Sequence, residues 1–294
     1  MTDRVPVQAA QSPAAAAGAL ELGSGLTVNR IGFGAMRLTG AGIWGAPADP
    51  ATAARVLQRA VELGVDFLDT ADSYGPNVSE ELIARALHPY PHGLVIGTKG
   101  GLTRPGPDVW NRDARPKHLR AACEGSLRRL KLERIDLYQL HAPDPEVPYE
   151  SSVGELARLQ EEGKIRLVGL SNVSVAEIKR ARKITSIVSV QNRYNMTDRA
   201  SDPVLDYCEA EGIAFIPWAP LGSSRLARGS AAGRTLSRIA AQRGITTGQA
   251  VIAWLLARST VMLPIPGTSS VDHLEENVAS ASVRLTPEEL RELD

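Results

Sequence analysis

The chain has 294 residues, 43% hydrophobic and 22% charged, and its 33 basic and 33 acidic side chains leave a formal net charge of zero. That balance suits a soluble globular enzyme and gives no electrostatic reason to bind nucleic acid or a membrane. Two cysteines, Cys123 and Cys208, make neither a disulfide framework nor a metal signature, which fits reduced thiols in a cytoplasmic protein.

No apolar run approaches the roughly 18 residues of a membrane span. Residues 1–18 contain Ala14-Ala15-Ala16-Ala17 but no basic segment followed by an apolar core, so they read as a disordered tail rather than a signal peptide. Residues 19–294 then form one domain. Leu20-Glu21-Leu22 and Leu26-Thr27-Val28 flank Gly23-Ser24-Gly25 as a hairpin. Ile31 to Ala35 is a first short strand, and Asp49-Pro50 opens a helix whose apolar residues recur at helical spacing up to Gly64.

Strand-like runs follow at Val65–Leu68, Leu94–Gly97, Ile135–Leu140, Ile165–Leu170, Ile187–Val190, Ile213–Pro217 and Val261–Ile265. Helical patterns separate them: 79–87, 116–130, 149–162, 175–184, 202–211, 232–244 with 247–258, and 271–281. Short apolar strands alternating with helices predict βα units and a parallel sheet. Eight units in this length match an α/β fold of one (β/α)8 TIM barrel, with the N-terminal β-hairpin as a cap. A doubly wound open sheet is the alternative, but no Gly-x-Gly-x-x-Gly follows the first strand.

In a barrel, active-site groups stand at the C-terminal ends of the strands. The polar residues there are Asp69, Lys99, His141, Ser171 with Asn172, and Gln191 with Asn192, while Trp218 ends the seventh run. Each alone has a plainer explanation: an Asp as a helix cap, a Lys as a solvated rim charge, a His as a satisfied structural residue. Their shared position favours chemistry. Asp69 would hold the Lys99 ammonium, and that ammonium would lower the pKa of the nearby Tyr74 phenol. A phenol tuned downward donates a proton more readily, and His141 would orient the same oxygen. The set suits reduction of a carbonyl.

These residues also resemble the aldo-keto reductase family, through Gly32-Phe33-Gly34-Ala35-Met36-Arg37, Phe67 to Gly75, Lys99-Gly100 and Asp136 to His141. The likeness continues in Gly169-Leu170-Ser171-Asn172, Gln191 to Asn195, Pro217 to Gly222 and Ile265 to Ser270, across the whole ordered length. It implies a catalytic tetrad of Asp69, Tyr74, Lys99 and His141 with Tyr74 as general acid, and a nicotinamide cofactor lying across the barrel mouth. Cofactor contacts carried over are Ala35, Met36, Arg37, Asp69, Ser171, Asn172 and Gln191. Trp218 would stack on the nicotinamide, and Pro220, Leu221 and Gly222 would line the pyrophosphate. Gly267, Thr268 and Ser269 at a helix start would hold phosphate, with His273, Glu276 and Asn277 beyond them.

Two departures stand out. Family members often carry Arg or Lys after the Gly-Thr pair, whereas Ser269 and Ser270 follow here with His273 one turn on; hydroxyls, helix N–H groups and a His can still hold a phosphate, so NADPH is expected with NADH as the alternative. Ala142 replaces a larger or charged residue after His141. Trp44 and Trp110, on Gly- and Pro-rich loops, are candidates for the substrate pocket with Tyr74 and His141. The short text after the last helix implies an open pocket for flat or bulky carbonyls. The text around Ala35-Met36-Arg37 and Pro264 to Thr268 looks most like bacterial pyridoxal reductases, giving pyridoxal as the substrate guess and carbonyls of secondary metabolism as its rival. Two other classes compete with this reading: a nicotinamide-binding regulatory or sensor subunit with a stable partner, and a metal-dependent hydrolase. The scatter of His88, His92, His118 and His273 in helix or loop text argues against a metal. Oligomeric state is open.

Overall fold

Seven short apolar runs form a parallel sheet in chain order in the computed structural model, which describes residues 12–222 and 231–293. The strands are β1 (Phe33–Gly34), β2 (Phe67–Asp69), β3 (Val95–Gly100), β4 (Ile135–Leu140), β5 (Ile165–Ser171), β6 (Ile187–Arg193) and β7 (Ala214–Trp218). The crossovers between them are α1 (Pro50–Glu62), α2 (Val78–Leu87), α3 (Pro116–Leu130), α4 (Tyr149–Glu161), α5 (Val175–Ala181) and α6 (Asp202–Glu211). After β7 come α7 (Ala231–Arg243), α8 (Thr247–Arg258), α9 (Val271–Ala279) and α10 (Pro287–Leu293). Among the described residues no helix is long and apolar enough to cross a membrane.

The eighth strand expected at Val261–Ile265 exists only as an isolated bridge between Phe215 and Met262. Its backbone still reaches both edges of the curled sheet. Phe215 N–H donates to Val261 O and Leu263 N–H to Phe215 O, both at 2.9 Å, while Gly32 N–H donates to Pro264 O at 2.9 Å. Pro264 and Pro266 have no N–H, so the run cannot extend a ladder. The approach here is close enough to demand glycine. A Cβ on Gly34 would lie 2.7 Å from Ile265 O, and one on Gly267 would lie 2.3 Å from Gly34 O. Arg30 fastens the same seam by donating to the carbonyls of Leu256, Ser259 and Met262.

Inside the curl, Phe67, Val95, Leu137, Leu167, Ile216 and Leu263 form one buried cluster with Leu22 and Val28 of the N-terminal hairpin. The hairpin, Ala19–Glu21 paired with Thr27–Asn29, therefore plugs the end at which these strands begin. Two larger clusters fill the space between sheet and helices. Two to four residues further along these strands the inward positions turn polar, at Asp69, Gln139 and Lys99, and the site starts there.

Three expectations need correction. Residues 13–17 of the supposed tail form a 3-10 helix, with Ala14 and Ala17 buried and Ala14 N–H donating to Leu63 O at 3.0 Å. Small alanine side chains let that backbone pack closely, so order begins before Ala19; residues 1–11 lie outside those described. The first strand is only Phe33–Gly34, because Ala35–Leu38 turns into a 3-10 helix. Finally, the Gly- and Pro-rich segment after β3 is not a plain loop. Leu102–Gly106 and Val109–Arg112 pair as an antiparallel hairpin that stands beside the strand ends.

Candidate active site

Parallel register sets the polar layer. Asp69 is opposite Gly34 on one side and Gly97 on the other, and Lys99, two residues further along β3, is opposite Gln139 on β4. Alternate residues of a strand share a face. Lys99 is wholly buried and Asp69 nearly so. The Lys99 ammonium donates to Asp69 Oδ2 at 2.7 Å, to Thr70 O at 2.8 Å and to the Tyr74 hydroxyl at 3.4 Å, which uses its three donors. Burial pulls the Lys99 pKa down, but the adjoining Asp69 charge and the Tyr74 oxygen more than offset it, leaving it raised.

Asp69 is held from its other oxygen by Gln191 Nε2 at 2.8 Å and Gln139 Nε2 at 3.4 Å. Gln139 was not anticipated; the signal was a lone amide inside the apolar run that ends at His141. Tyr74 is placed by the turn after β2, where its N–H donates to Ala71 O and its carbonyl accepts from Ser79 N–H. Its hydroxyl oxygen accepts from Lys99, and among the described residues nothing accepts the hydroxyl hydrogen.

The expected lowering of the Tyr74 pKa does not occur. Burial is the largest influence and raises it; Lys99 opposes this, and the carboxylates of Asp69 and Asp72 add to the rise. The phenol is therefore held protonated. His141 is shifted well below its ordinary value by burial and by the Lys99 charge, so its imidazole is neutral. Ser73 Oγ lies 3.3 Å from His141 Nδ1 and orients the ring. The Tyr74 and His141 rings meet edge to face with centroids 5.8 Å apart, and Trp110 packs 6.3 Å from each.

Tyr74 and His141 open on a cavity of about 610 Å³, which Asp69, Ser171, Asn172, Gln191 and Trp218 also line. Met36, Arg37, Pro220, Leu221, Gly222 and Gly267 contribute to its wall. A neighbouring cavity of about 620 Å³ continues past Arg37 to Thr268 and Ser269. The structure thus brings together most of the residues that sequence pointed to. Ala35 is fully buried and lines neither cavity. Trp44 also lines neither; the centroid of its ring lies 6.0 Å from the Arg104 guanidinium. His273, Glu276 and Asn277 stand on α9 and line neither cavity, and Glu276 accepts from Thr246 Oγ at the start of α8.

The donors and acceptors fit an extended ligand bearing a carboxamide at one end and phosphate at the other. Gln191 spends its amide N–H on Asp69, leaving Oε1 without a donor among the described residues. Ser171 Oγ donates to Gln191 O, and both are thereby fixed. Asn172, at φ +58°, donates to His141 O at 2.9 Å and to Ser171 Oγ at 3.1 Å. Its Oδ1 accepts the Trp218 indole N–H at 3.0 Å, so Asn172 sets the Trp218 ring. At the far end, Ser270 caps α9 by accepting from His273 N–H, and Thr268 Oγ accepts from Ser270 N–H.

Behind the turn lies a second acidic group that sequence reasoning missed. Glu80 is fully buried and accepts from Thr98 Oγ and from Arg129 Nε, each at 2.6 Å. Asp72, also buried, has one carboxyl oxygen without a partner. Burial, reinforced by Glu80, pushes the Asp72 pKa up to about 8.

Residues 30–294 match the model of the Aldo/keto reductase family. An uncharacterized oxidoreductase of Schizosaccharomyces pombe is 50% identical over 281 residues, covering 96% of this chain and 90% of that protein. Pyridoxine 4-dehydrogenase of Escherichia coli is 42% identical over 275 residues, covering 91% of this chain and 94% of that protein. The crystal structure of an aldo-keto reductase from Klebsiella pneumoniae in complex with NADPH matches with a TM-score of 0.79 at 27% identity, covering 94% of this chain and 93% of that one. The fold is thus of the TIM-barrel type found in these enzymes.

Proposed function

The chain belongs to the aldo/keto reductase family and is an NADP(H)-dependent oxidoreductase, and from that premise we propose that it reduces an aldehyde or ketone to the alcohol with Tyr74 as the general acid. The observation that carries this reading is the Tyr74 hydroxyl, bonded by Lys99 through its oxygen and facing a cavity with its hydrogen unclaimed among the described residues.

Bound along that cavity, NADPH would supply the hydride. Trp218, set by Asn172, would cover the nicotinamide, and Gln191 Oε1 would accept from its carboxamide. Pro220, Leu221, Gly222 and Gly267 line the middle, and Thr268 and Ser269 offer hydroxyls and helix-start N–H groups to the phosphates. Tyr74 gives its proton to the carbonyl oxygen as charge develops there. The ammonium of Lys99 then stabilises the phenolate, and Asp69 keeps that ammonium charged and in place. A Ser73 hydroxyl donating to Nδ1 leaves the His141 proton on Nε2, from which it can hydrogen-bond the same carbonyl oxygen.

The pocket favours flat, mainly apolar carbonyls. Ile43, Leu102, Trp110 and Leu221 provide that surface beside Tyr74 and His141. Pyridoxal is the first candidate, supported by the likeness to pyridoxine 4-dehydrogenase; other aromatic aldehydes follow. The test is NADPH oxidation by the purified protein with pyridoxal and a panel of aromatic aldehydes. Turnover that Tyr74→Phe abolishes is expected; no oxidation above that variant's level sinks the reading.

A further inference from the structure

Arg104 is buried at the rim of the pocket, and among the described residues it forms no ion pair. Its five N–H donors instead meet five backbone carbonyls. Nε donates to Val109 O at 2.8 Å; Nη1 donates to Ile43 O at 3.1 Å and Ser73 O at 3.4 Å; Nη2 donates to Gly42 O at 2.8 Å and Gly106 O at 3.5 Å. The guanidinium also lies 3.7 Å from the centroid of the Trp110 ring. A shift in pairing register between Thr103 and Gly106 contains Arg104, and such an irregularity re-aims a side chain. One planar cation thereby joins the segment after β1, the turn carrying Tyr74, and both strands of the hairpin.

We infer that Arg104 is a specificity-determining positioning residue: it holds the Trp110 indole upright as the wall against which a flat aromatic carbonyl lies. This rests on the reductase reading above. Trp110 touches the cavity from the hairpin, where its other neighbours are Tyr74 and His141. Stacking of the Arg104 guanidinium on the indole fixes the ring plane, so the ring meets substrate without reorganisation. A lysine has the charge but cannot span carbonyls on three segments with one ammonium. Tyr74 does not depend on the clamp, because its turn carries its own bonds from Tyr74 N–H to Ala71 O and from Asn77 N–H to Asp72 O. The hairpin keeps a second tie, Asp108 N–H to Gly42 O at 3.1 Å.

The test compares kcat and KM for benzaldehyde and propionaldehyde in the wild type, Arg104→Lys, Arg104→Met, Trp110→Leu and the Arg104→Met/Trp110→Leu double variant. Thermal unfolding and NADPH affinity are measured on each. The expected result is a rise in benzaldehyde KM of about tenfold in each single variant, and in the two Arg104 variants propionaldehyde KM, both kcat values and NADPH affinity stay within about threefold. The double variant should lose no more than Trp110→Leu alone, because Arg104 acts through that ring. Equal losses for both aldehydes, multiplying losses in the double variant, or an unchanged benzaldehyde preference in Arg104→Lys overturn the proposal. Should Arg104→Met fail to fold, Arg104→Lys and Trp110→Leu decide the matter. A wild type that reduces neither aldehyde nor pyridoxal instead defeats the underlying reductase reading.

Discussion

The Lys99 ammonium stands 3.4 Å from the Tyr74 hydroxyl and 5.1 Å from the centre of its ring, yet the phenol titrates above its ordinary value. Desolvation of the buried phenolate outweighs the one nearby cation. Tyr74 therefore rests as an acid carrying its proton. Replacing it with Phe removes the donor and leaves the packing, so kcat should fall by about 10²- to 10⁴-fold. NADPH affinity, followed by fluorescence titration, should stay the same. In the wild type, the rate of carbonyl reduction should show no loss attributable to Tyr74 up to about pH 10.

Lys99 and Asp69 are a buried ion pair, and each is the other's main compensation for lost water. Lys99→Met should destabilise the protein by about 3–5 kcal/mol, because it strands a carboxylate. Combining it with Asp69→Asn should cost clearly less than the sum of the two single changes. Urea unfolding of the wild type, both singles and the double gives the coupling. Strict additivity would mean that the pair does not act as a unit.

The strand ends were legible because a charge or amide closing an apolar run is chemically conspicuous. Asp69, Lys99 and His141 all stand out that way. The hairpin over 102–112 was not, since Gly, Pro and an irregular register hide strand alternation. Arg104 reads as an ordinary rim charge until its carbonyl partners, as distant as Gly42 and Ser73, are brought together. The sign of the Tyr74 shift was equally hidden: the sequence names the nearby cation but does not reveal how completely water is excluded.

Asp72 makes alkaline stability testable. The folded carboxyl keeps its proton up to about pH 8, whereas the ordinary value is 3.8. The native state thus binds more protons than the unfolded state through that window, and this group's contribution falls as pH rises. Asp72→Asn, which stays neutral, should raise the melting temperature relative to wild type increasingly from about pH 5 to about pH 9. An equal change at every pH would contradict the buried-acid account.

Ser269 lines the outer cavity where a cation would complete a phosphate site. Ser269→Arg should increase the preference for NADPH over NADH by about tenfold, through a charge-assisted contact. Dissociation constants for both cofactors, measured at low and high salt, would show it. A gain shared equally by the two cofactors would place the new charge elsewhere than at the 2′-phosphate.

The seam through residues 261–265 has a consequence for biosynthesis. Arg30 and Met262 meet across 232 positions of chain, and loops this long close late because their entropy must be met before the contact forms. While the ribosome is still producing α8, the polypeptide already holds β1 and β7, each with an unmatched row of backbone donors and acceptors. Such rows invite pairing with other chains. Nascent molecules halted before Leu263 should accordingly be the ones that lean on chaperones, and emergence of this one short stretch ends that exposure on both flanks at once.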